Sequence, residues 1–336
     1  MKLTDPVIRE GPQVRISYLA FDSLGAMGMC VRIETPDVII TVDPGAAIEA
    51  AAFPLPAERR GALYEAQLAA VRESCASSHV IVISHFHLDH LIPNRDQALY
   101  GDKTIFTRDP DTLTDKQAST ASRFLRDING LPKDILFADG RKFKFGRTLL
   151  EFSGPVWHGV ENADPGTVIM TQVSRGREKV LITSDVGGPL TTSATDLICG
   201  AKAQTVVLDG YPTYLLGQFA TDFNLVRSIV NICRILESRD LRTLIIDHHV
   251  ARDYRYPAFF KLAYDKATKM KKQFGTVAEV QGSKSLVLEG YQNYGPTKWQ
   301  KWFPLESADA RTVLARAIAE GRLDAEWLAA FDRWTV

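Results

Sequence analysis

The sequence predicts an α/β fold built in layers, and three observations carry that prediction. Short apolar, β-branched runs recur along the chain. A stretch rich in Ala, Leu, Glu and Arg at helical spacing separates two of them, giving the strand–helix–strand order that packing helices on a sheet requires. The composition is globular, with 45% hydrophobic and 24% charged residues over 336 positions. Forty basic residues balance forty acidic ones, so no global field demands nucleic acid or a membrane as partner, although a local basic face stays compatible with this balance. Cys30, Cys75, Cys199 and Cys233 lie far apart without C-x-x-C spacing and read as buried thiols rather than a disulfide scaffold. The first residues, MKLTDPVIREGP, lack an apolar core of the signal-peptide kind, and no run reaches 18 apolar residues. A soluble cytoplasmic protein without membrane contact is expected.

Taken in order, residues 14–20, 27–33 and 37–42 read as strands, separated by a Gly-containing loop (Ser23, Leu24, Gly25) and a Thr-Pro turn. Asp43-Pro44-Gly45 then forms an Asx-type turn. Residues 57–76, with Leu63, Ala66, Leu68 and Val71 on a helical spacing, deliver the chain to the run Val80 to Ile83, a strand apolar enough to be buried on both faces. Ser84 ends that strand, and four potential metal ligands follow within six residues: His85, His87, Asp89 and His90. Imidazole and carboxylate suit zinc, iron or manganese. The i, i+2 spacing of His85 and His87 points both rings to one side, and Asp89 and His90 come where the chain turns toward a second point. Such a cluster could hold two ions at the roughly 3.5–4 Å of binuclear hydrolytic sites.

The segment SHFHLDH resembles the His-x-His-x-Asp-His signature of the metallo-β-lactamase-fold hydrolases, complete at its defining positions. The phrases FDSLGAMGM, VDPG, FADG, GPVWHG, SDVGGP, LDGYPTYL and IIDHHVARD extend the resemblance, in order, to an archaeal and bacterial branch of that superfamily. The resemblance implies a four-layer αββα sandwich. It places residues 1–295 in one hydrolase domain and leaves 296–336 as a C-terminal helical extension, packed on that domain or on a partner subunit.

Downstream, residues 103–107 read as a strand, 114–128 as a helix with Arg123 and Arg126, and 135–138, 142–145 and 148–152 as short strands. His158 follows in Pro155-Val156-Trp157-His158-Gly159. A first ion held by His85 and His87 needs a third nitrogen, and the resemblance assigns it to His158. Residues 167–173 and 179–183 read as a hairpin running into Ser184-Asp185, where the resemblance puts a carboxylate bridging both ions. Residues 205–208 form a strand closed by Asp209, residues 223–237 an amphipathic helix, and 243–246 the last core strand, ending in Asp247-His248-His249. Register and resemblance favour His248 as the closing ligand, with His249 the alternative; His249 then supports a ligand or faces substrate. Asp43, Asp209 and Asp247, each at a strand end, are candidates to orient ligating imidazoles through the far ring nitrogen. Six of the seven histidines fall at strand ends in three places; only His79 is left over, as a structural residue. Residues 258–274 read as one helix with Lys261, Lys266, Lys269, Lys271 and Lys272 on a solvated face, or as a phosphate-attracting edge. Residues 276–282 and 285–290 read as a final hairpin. Trp299 and Trp302, with helices over 308–319 and 323–334, make a packing face against the core or in a homo-oligomer.

These readings converge on a metal-dependent hydrolase with two divalent ions, zinc first and iron or manganese next, that share a hydroxide. Asp89 is the expected catalytic residue, carrying a proton to the leaving group. The substrate expected is a small molecule or a phosphodiester; a lactone, thioester or other acyl compound is the alternative. A di-iron redox or sensing protein is the alternative from another class.

Overall fold

The computed structural model describes residues 13–295 and 310–321, with 297, 325, 328, 329 and 332. Trp299, Trp302 and most of the stretch 323–334 lie outside the described residues. The first sheet follows chain order: β1 (Arg15–Phe21), β2 (Met29–Glu34), β3 (Ile39–Val42), β4 (Val80–Ile83), β5 (Thr104–Thr107) and β6 (Asp134–Phe137). Its first three strands are antiparallel and the rest parallel. Helices α1 (Ala57–Ser77) and α2 (Asp115–Asp127) cross over between the parallel strands. A second sheet takes β7 (Lys142–Phe145), β8 (Thr148–Phe152), β11 (Thr171–Arg175), β12 (Glu178–Ile182), β13 (Thr205–Leu208), β14 (Thr243–Ile246) and β15 (Gln273–Gly275). Between β8 and β11, the short pair β9 (Val156–Trp157) and β10 (Thr167–Val168) forms a separate ribbon.

Alternation along the strands builds the layers. Val80 and Val82 point inward and meet Val207 and Ile245 of the second sheet in a shared core. Their neighbours Ile81 and Ile83 point outward, onto Val71 and Cys75 of α1 and Ala121 and Phe124 of α2. On the far side, Val206, Leu208, Leu244 and Ile246 pack under α3 (Thr192–Gly200), α4 (Asp222–Leu236) and, beyond α5 (Tyr256–Phe259), α6 (Lys261–Lys269). Helix, sheet, sheet, helix is the four-layer αββα sandwich expected from the sequence. Among the described residues no helix is long and apolar enough to cross a membrane.

Three segments differ from the sequence reading. The stretch 258–274 is not one helix: the chain breaks at Lys271 (φ +55°), and 273–275 pairs in parallel with β14, so residues 243–246 are not the last core strand. Just past the break, Lys272 donates its ammonium to the carbonyls of Leu236 and Ser238. The expected hairpin over 276–290 is instead two helices, α7 (Val277–Val280) and α8 (Leu286–Tyr294). Thr276 and Glu279 form a reciprocal capping box, and the buried carboxylate of Asp247 accepts the Val277 N–H, so the free donors of a helix start are satisfied. The strand expected over 167–173 divides, its first two residues pairing with β9 and residues from Thr171 onward with β8 and β12. Helix α9 (Ala310–Ala319) sets Val313 and Leu314 against Val226 and Val230 of α4.

Three of the four thiols are buried, and burial pushes Cys75 and Cys233 up to about 12 and Cys30 well above its usual value. Only the thiolate reacts with a disulfide reagent. Ellman's reagent at pH 8 is therefore expected to label one thiol per native chain, the half-buried Cys199, and four in denaturant.

Candidate metal centre

Parallel strands put their carboxyl ends at one edge, and the polar residues that end them meet there. Strand β3 delivers Asp43; β4 delivers Ser84, His85, His87, Asp89 and His90; β12, β13 and β14 deliver Asp185, Asp209 and Asp247 to His249. His158 enters from the turn after β9. Three of these strand ends are non-glycine residues in the left-handed region, Asp43 (φ +49°), Ser184 (φ +55°) and His248 (φ +53°). Each bends the chain sharply enough to turn a ligand inward, a strain of order 1 kcal/mol or more apiece that the contacts around them offset. Gly45 is needed for a different reason: a Cβ there would lie 2.2 Å from the Asp89 carbonyl oxygen, so only glycine lets the two loops close.

Asp185 is the centre. Its Oδ2 lies 3.2 Å from Nε2 of His158, 3.3 Å from His90, 3.5 Å from His248, 3.6 Å from His85 and 3.7 Å from His249. His85, His87, His158 and Asp185 converge closely enough to hold one ion, and Asp89, His90 and His248 converge beside them. His248 Nε2 is 3.6 Å from Asp89 Oδ2 and 3.5 Å from Asp185 Oδ2, so it faces both carboxylates. His249 reaches Asp185 from the more open side, with Nδ1 3.1 Å from Asp209 Oδ2. Nε2 of His85, His90 and His248 and Oδ1 of Asp185 are buried without any hydrogen-bond partner. Orphaned lone pairs of this kind cost about 1–3 kcal/mol each unless something occupies them, and nitrogen and carboxylate oxygen in this arrangement fit a divalent cation.

No family model matches the chain. A UPF0282 protein of Methanopyrus kandleri is 34% identical over 294 residues, spanning 83% of this chain and 98% of that protein. Another, from Metallosphaera sedula, is 33% identical over 281 residues, spanning 82% and 90%. The chain belongs to the UPF0282 family. Among solved structures it is similar in fold to the metallo-β-lactamase fold protein YhfI from Bacillus subtilis (TM-score 0.48, 13% identity, 81% of this chain and 97% of that one). Unliganded yeast PDE1 is similar to the same degree (TM-score 0.49, 14% identity, 79% and 97%). Both likenesses are of fold alone.

In this UPF0282 protein the supporting contacts fall unevenly. Asp43 is a hub: its carboxylate accepts the Ser84 N–H (2.8 Å) and the hydroxyls of Ser84 (2.7 Å) and Ser184 (3.1 Å), and lies 3.1 Å from His90 Nδ1. The Ser84 hydroxyl is also 3.0 Å from His85 Nδ1. Asp209 accepts the N–H groups of Gly187 and Gly188 and orients His249. Asp247 does not orient an imidazole, contrary to the sequence reading. Its oxygens take the backbone N–H groups of Ser23, His248 and Val277, and no ring nitrogen reaches them. The ring of His248 is held instead by Asp22, 2.6 Å from Nδ1, a residue that sequence reasoning missed although it too is an Asp at a strand end.

Charge in the cluster follows from burial against Coulomb attraction. Burial opposes a charge on His90, but Asp185 and Asp43 push it up to about 10. His248 is likewise raised against burial by Asp22 and Asp185. Burial depresses His87 to about 4 and His85 and His249 well below their usual range, leaving those lone pairs free. Asp185 is held low, against burial, by His90, His248 and His249. Burial and the charge of Asp185 raise Asp209 to about 7. The buried Asp185 carboxylate thus draws positive charge to itself, and protons on His90 and His248 can supply it.

Asp43→Ala would leave Ser84, Ser184 and His90 with unpaired buried groups. A loss of about 3–5 kcal/mol is expected in urea unfolding of the metal-free protein, whereas His79→Ala, an exposed ring that accepts the Ile39 N–H, should cost under about 1 kcal/mol.

Proposed function

We propose that this protein is a metal-dependent hydrolase that uses two divalent ions, zinc in the first instance, on either side of Asp185. The supporting observation is the position of the Asp185 carboxylate within 3.2–3.7 Å of five imidazole nitrogens, with His85 and His158 in one convergent set of ligand atoms and His90 and His248 in another. His85, His87 and His158 would hold one ion, Asp89, His90 and His248 the other, and Asp185 would reach both. Ions so held supply Lewis acidity and lower the pKa of water from about 15.7 toward 7.

The chain's own residues supply the rest. Asp89 is the more open of the two ligand carboxylates, its side chain 22% exposed against 1% for Asp185, so it can carry a proton to a leaving group. His249, tied through Nδ1 to Asp209 and with Nε2 3.7 Å from Asp185 Oδ2, would face the substrate beside the ions. Two divalent ions bring four positive charges and the two ligand carboxylates with a shared hydroxide return three, so the ions and their ligands keep a net charge of about +1 that favours an anionic substrate. We therefore place phosphodiesters first. A long nucleic acid is not supported: Lys261 pairs with Asp265, Lys266 with Glu237, and Lys272 with backbone carbonyls on the outer helical layer.

A second reading, hydrolysis of a lactone, thioester or other acyl compound, has one observation in its favour. A cavity of about 500 Å³ lies against the metal-bearing loop, lined by Ile48, Leu88, Leu91, Ile92 and Phe124 with Arg123 at its side. Leu88 (69% exposed) and Ile48 (48%) offer apolar surface to an acyl chain.

Zinc-loaded protein is expected to hydrolyse bis(p-nitrophenyl) phosphate, to lose that activity to a chelator, and to lose about a hundredfold or more in kcat/KM on Asp185→Asn. Cleavage of lactones or thioesters alone would move the assignment to the second reading. A visible spectrum and elemental analysis showing iron in the protein as isolated would favour the di-iron alternative. Full metal content and activity after His85→Ala with His87→Ala would overturn the ligand assignment.

A further inference from the structure

Asp22 ends β1, on the far side of the chain from His248, and is fully buried. Its Oδ2 lies 2.6 Å from His248 Nδ1 and accepts the Gly28 N–H at 3.2 Å; its Oδ1 accepts from Arg252 Nε at 2.5 Å. Arg252 donates through Nη1 to the Tyr214 hydroxyl at 3.1 Å, and its Nη2 lies 3.8 Å from Asp89 Oδ2. One buried ion pair therefore touches two of the three residues that converge beside Asp185 as the second group, and neither member touches His85, His87 or His158 in any contact described. On that other side, His85 is held by the hydroxyls of Ser84 and Ser184.

We propose that Asp22 and Arg252 are positioning residues for the second ion alone, locking His248 with its proton on Nδ1 and its Nε2 lone pair aimed between Asp89 and Asp185. The inference rests on the binuclear reading. An ionised carboxylate can only accept, so the short contact puts the proton on Nδ1. The other oxygen of that carboxylate is paired with the Arg252 guanidinium. The guanidinium has a second task. Asp22 and Asp89 both lie against the Arg252 guanidinium, and burial together with Asp22 pushes the pKa of the neighbouring buried Glu49 well up. Without that fixed cation, repulsion between the Asp22 and Asp89 carboxylates would push Asp22 off the imidazole. Arg252 supplies that cation with a planar fork that can reach Asp22, Tyr214 and Asp89 together, which a lysine ammonium cannot.

The test compares wild type, Asp22→Asn and Arg252→Lys by chelator-competition titration with zinc and by 113Cd NMR of the cadmium-loaded proteins, with thermal unfolding of the metal-free forms alongside. Two binding steps and two resonances are expected for wild type. Asp22→Asn should weaken one step about 10- to 100-fold and move one resonance, leaving the other step within about twofold. Arg252→Lys should weaken the same step by less. Equal weakening of both steps, or of neither, in a variant that folds overturns the positioning role. If Asp22→Asn fails to fold, Arg252→Lys decides by the same criterion. Wild type that binds fewer than two ions overturns the binuclear reading itself, before any variant is compared.

Discussion

A single buried carboxylate organises this molecule. Asp185 is 1% exposed, and an isolated carboxylate in that position would cost several kcal/mol. Five imidazole nitrogens within 3.7 Å of one of its oxygens are the means by which that cost is met, and three separate pieces of backbone bring them there: the 84–90 loop, the turn after β9 and the 247–249 turn. The sandwich does this because its parallel strands end together. Asp43, the 84–90 loop, Asp185, Asp209 and the 247–249 turn all leave the sheets at one edge, while the apolar residues upstream of them fill the layers. The core and the centre are therefore the same design seen at two ends of the same strands.

Bringing so many groups to one point strains the chain, and the strain sits where the function is. Asp43, Ser184 and His248 adopt left-handed backbone without being glycine. Each is held by buried hydrogen bonds, and two of these join the two sheets, Ser184 to Asp43 and the Ser23 N–H to Asp247; Asp43 also accepts from Ser84, and Asp247 from the N–H groups of His248 and Val277. Net contributions near 1 kcal/mol per bond are enough to offset strain of about the same size. Asp247 thus fixes the backbone of the turn while Asp22 fixes the ring that the turn carries, a division of labour between two acidic residues on opposite sides of His248.

Much of this was legible in the residues. Strand β4 and the strands over 205–208 and 243–246 read off as they stand, because runs such as Val80 to Ile83 are apolar on both faces. The six clustered histidines pointed to one centre for a chemical reason, since imidazoles gather at strand ends only when something requires their lone pairs. What stayed hidden depends on contacts distant in sequence. Residues 276–290 have the β-branched, glycine-punctuated look of a hairpin, and the helix over 277–280 exists because Asp247, thirty positions away, takes the free N–H of Val277. Arg252 in the same way meets Asp22, 230 positions upstream. Asp22 carried the same signal as Asp43, Asp185 and Asp209, an Asp at the end of a strand. Nothing in spacing alone says which such residue meets which ring.

The central claim is that Asp185 stands between two ions, and anomalous diffraction from crystals grown with zinc tests it most directly. Data collected on either side of the zinc absorption edge should show two peaks per chain flanking the Asp185 carboxylate. One is expected among His85, His87 and His158, the other among Asp89, His90 and His248. A single peak, or two peaks that leave Asp185 to one side, would contradict the account.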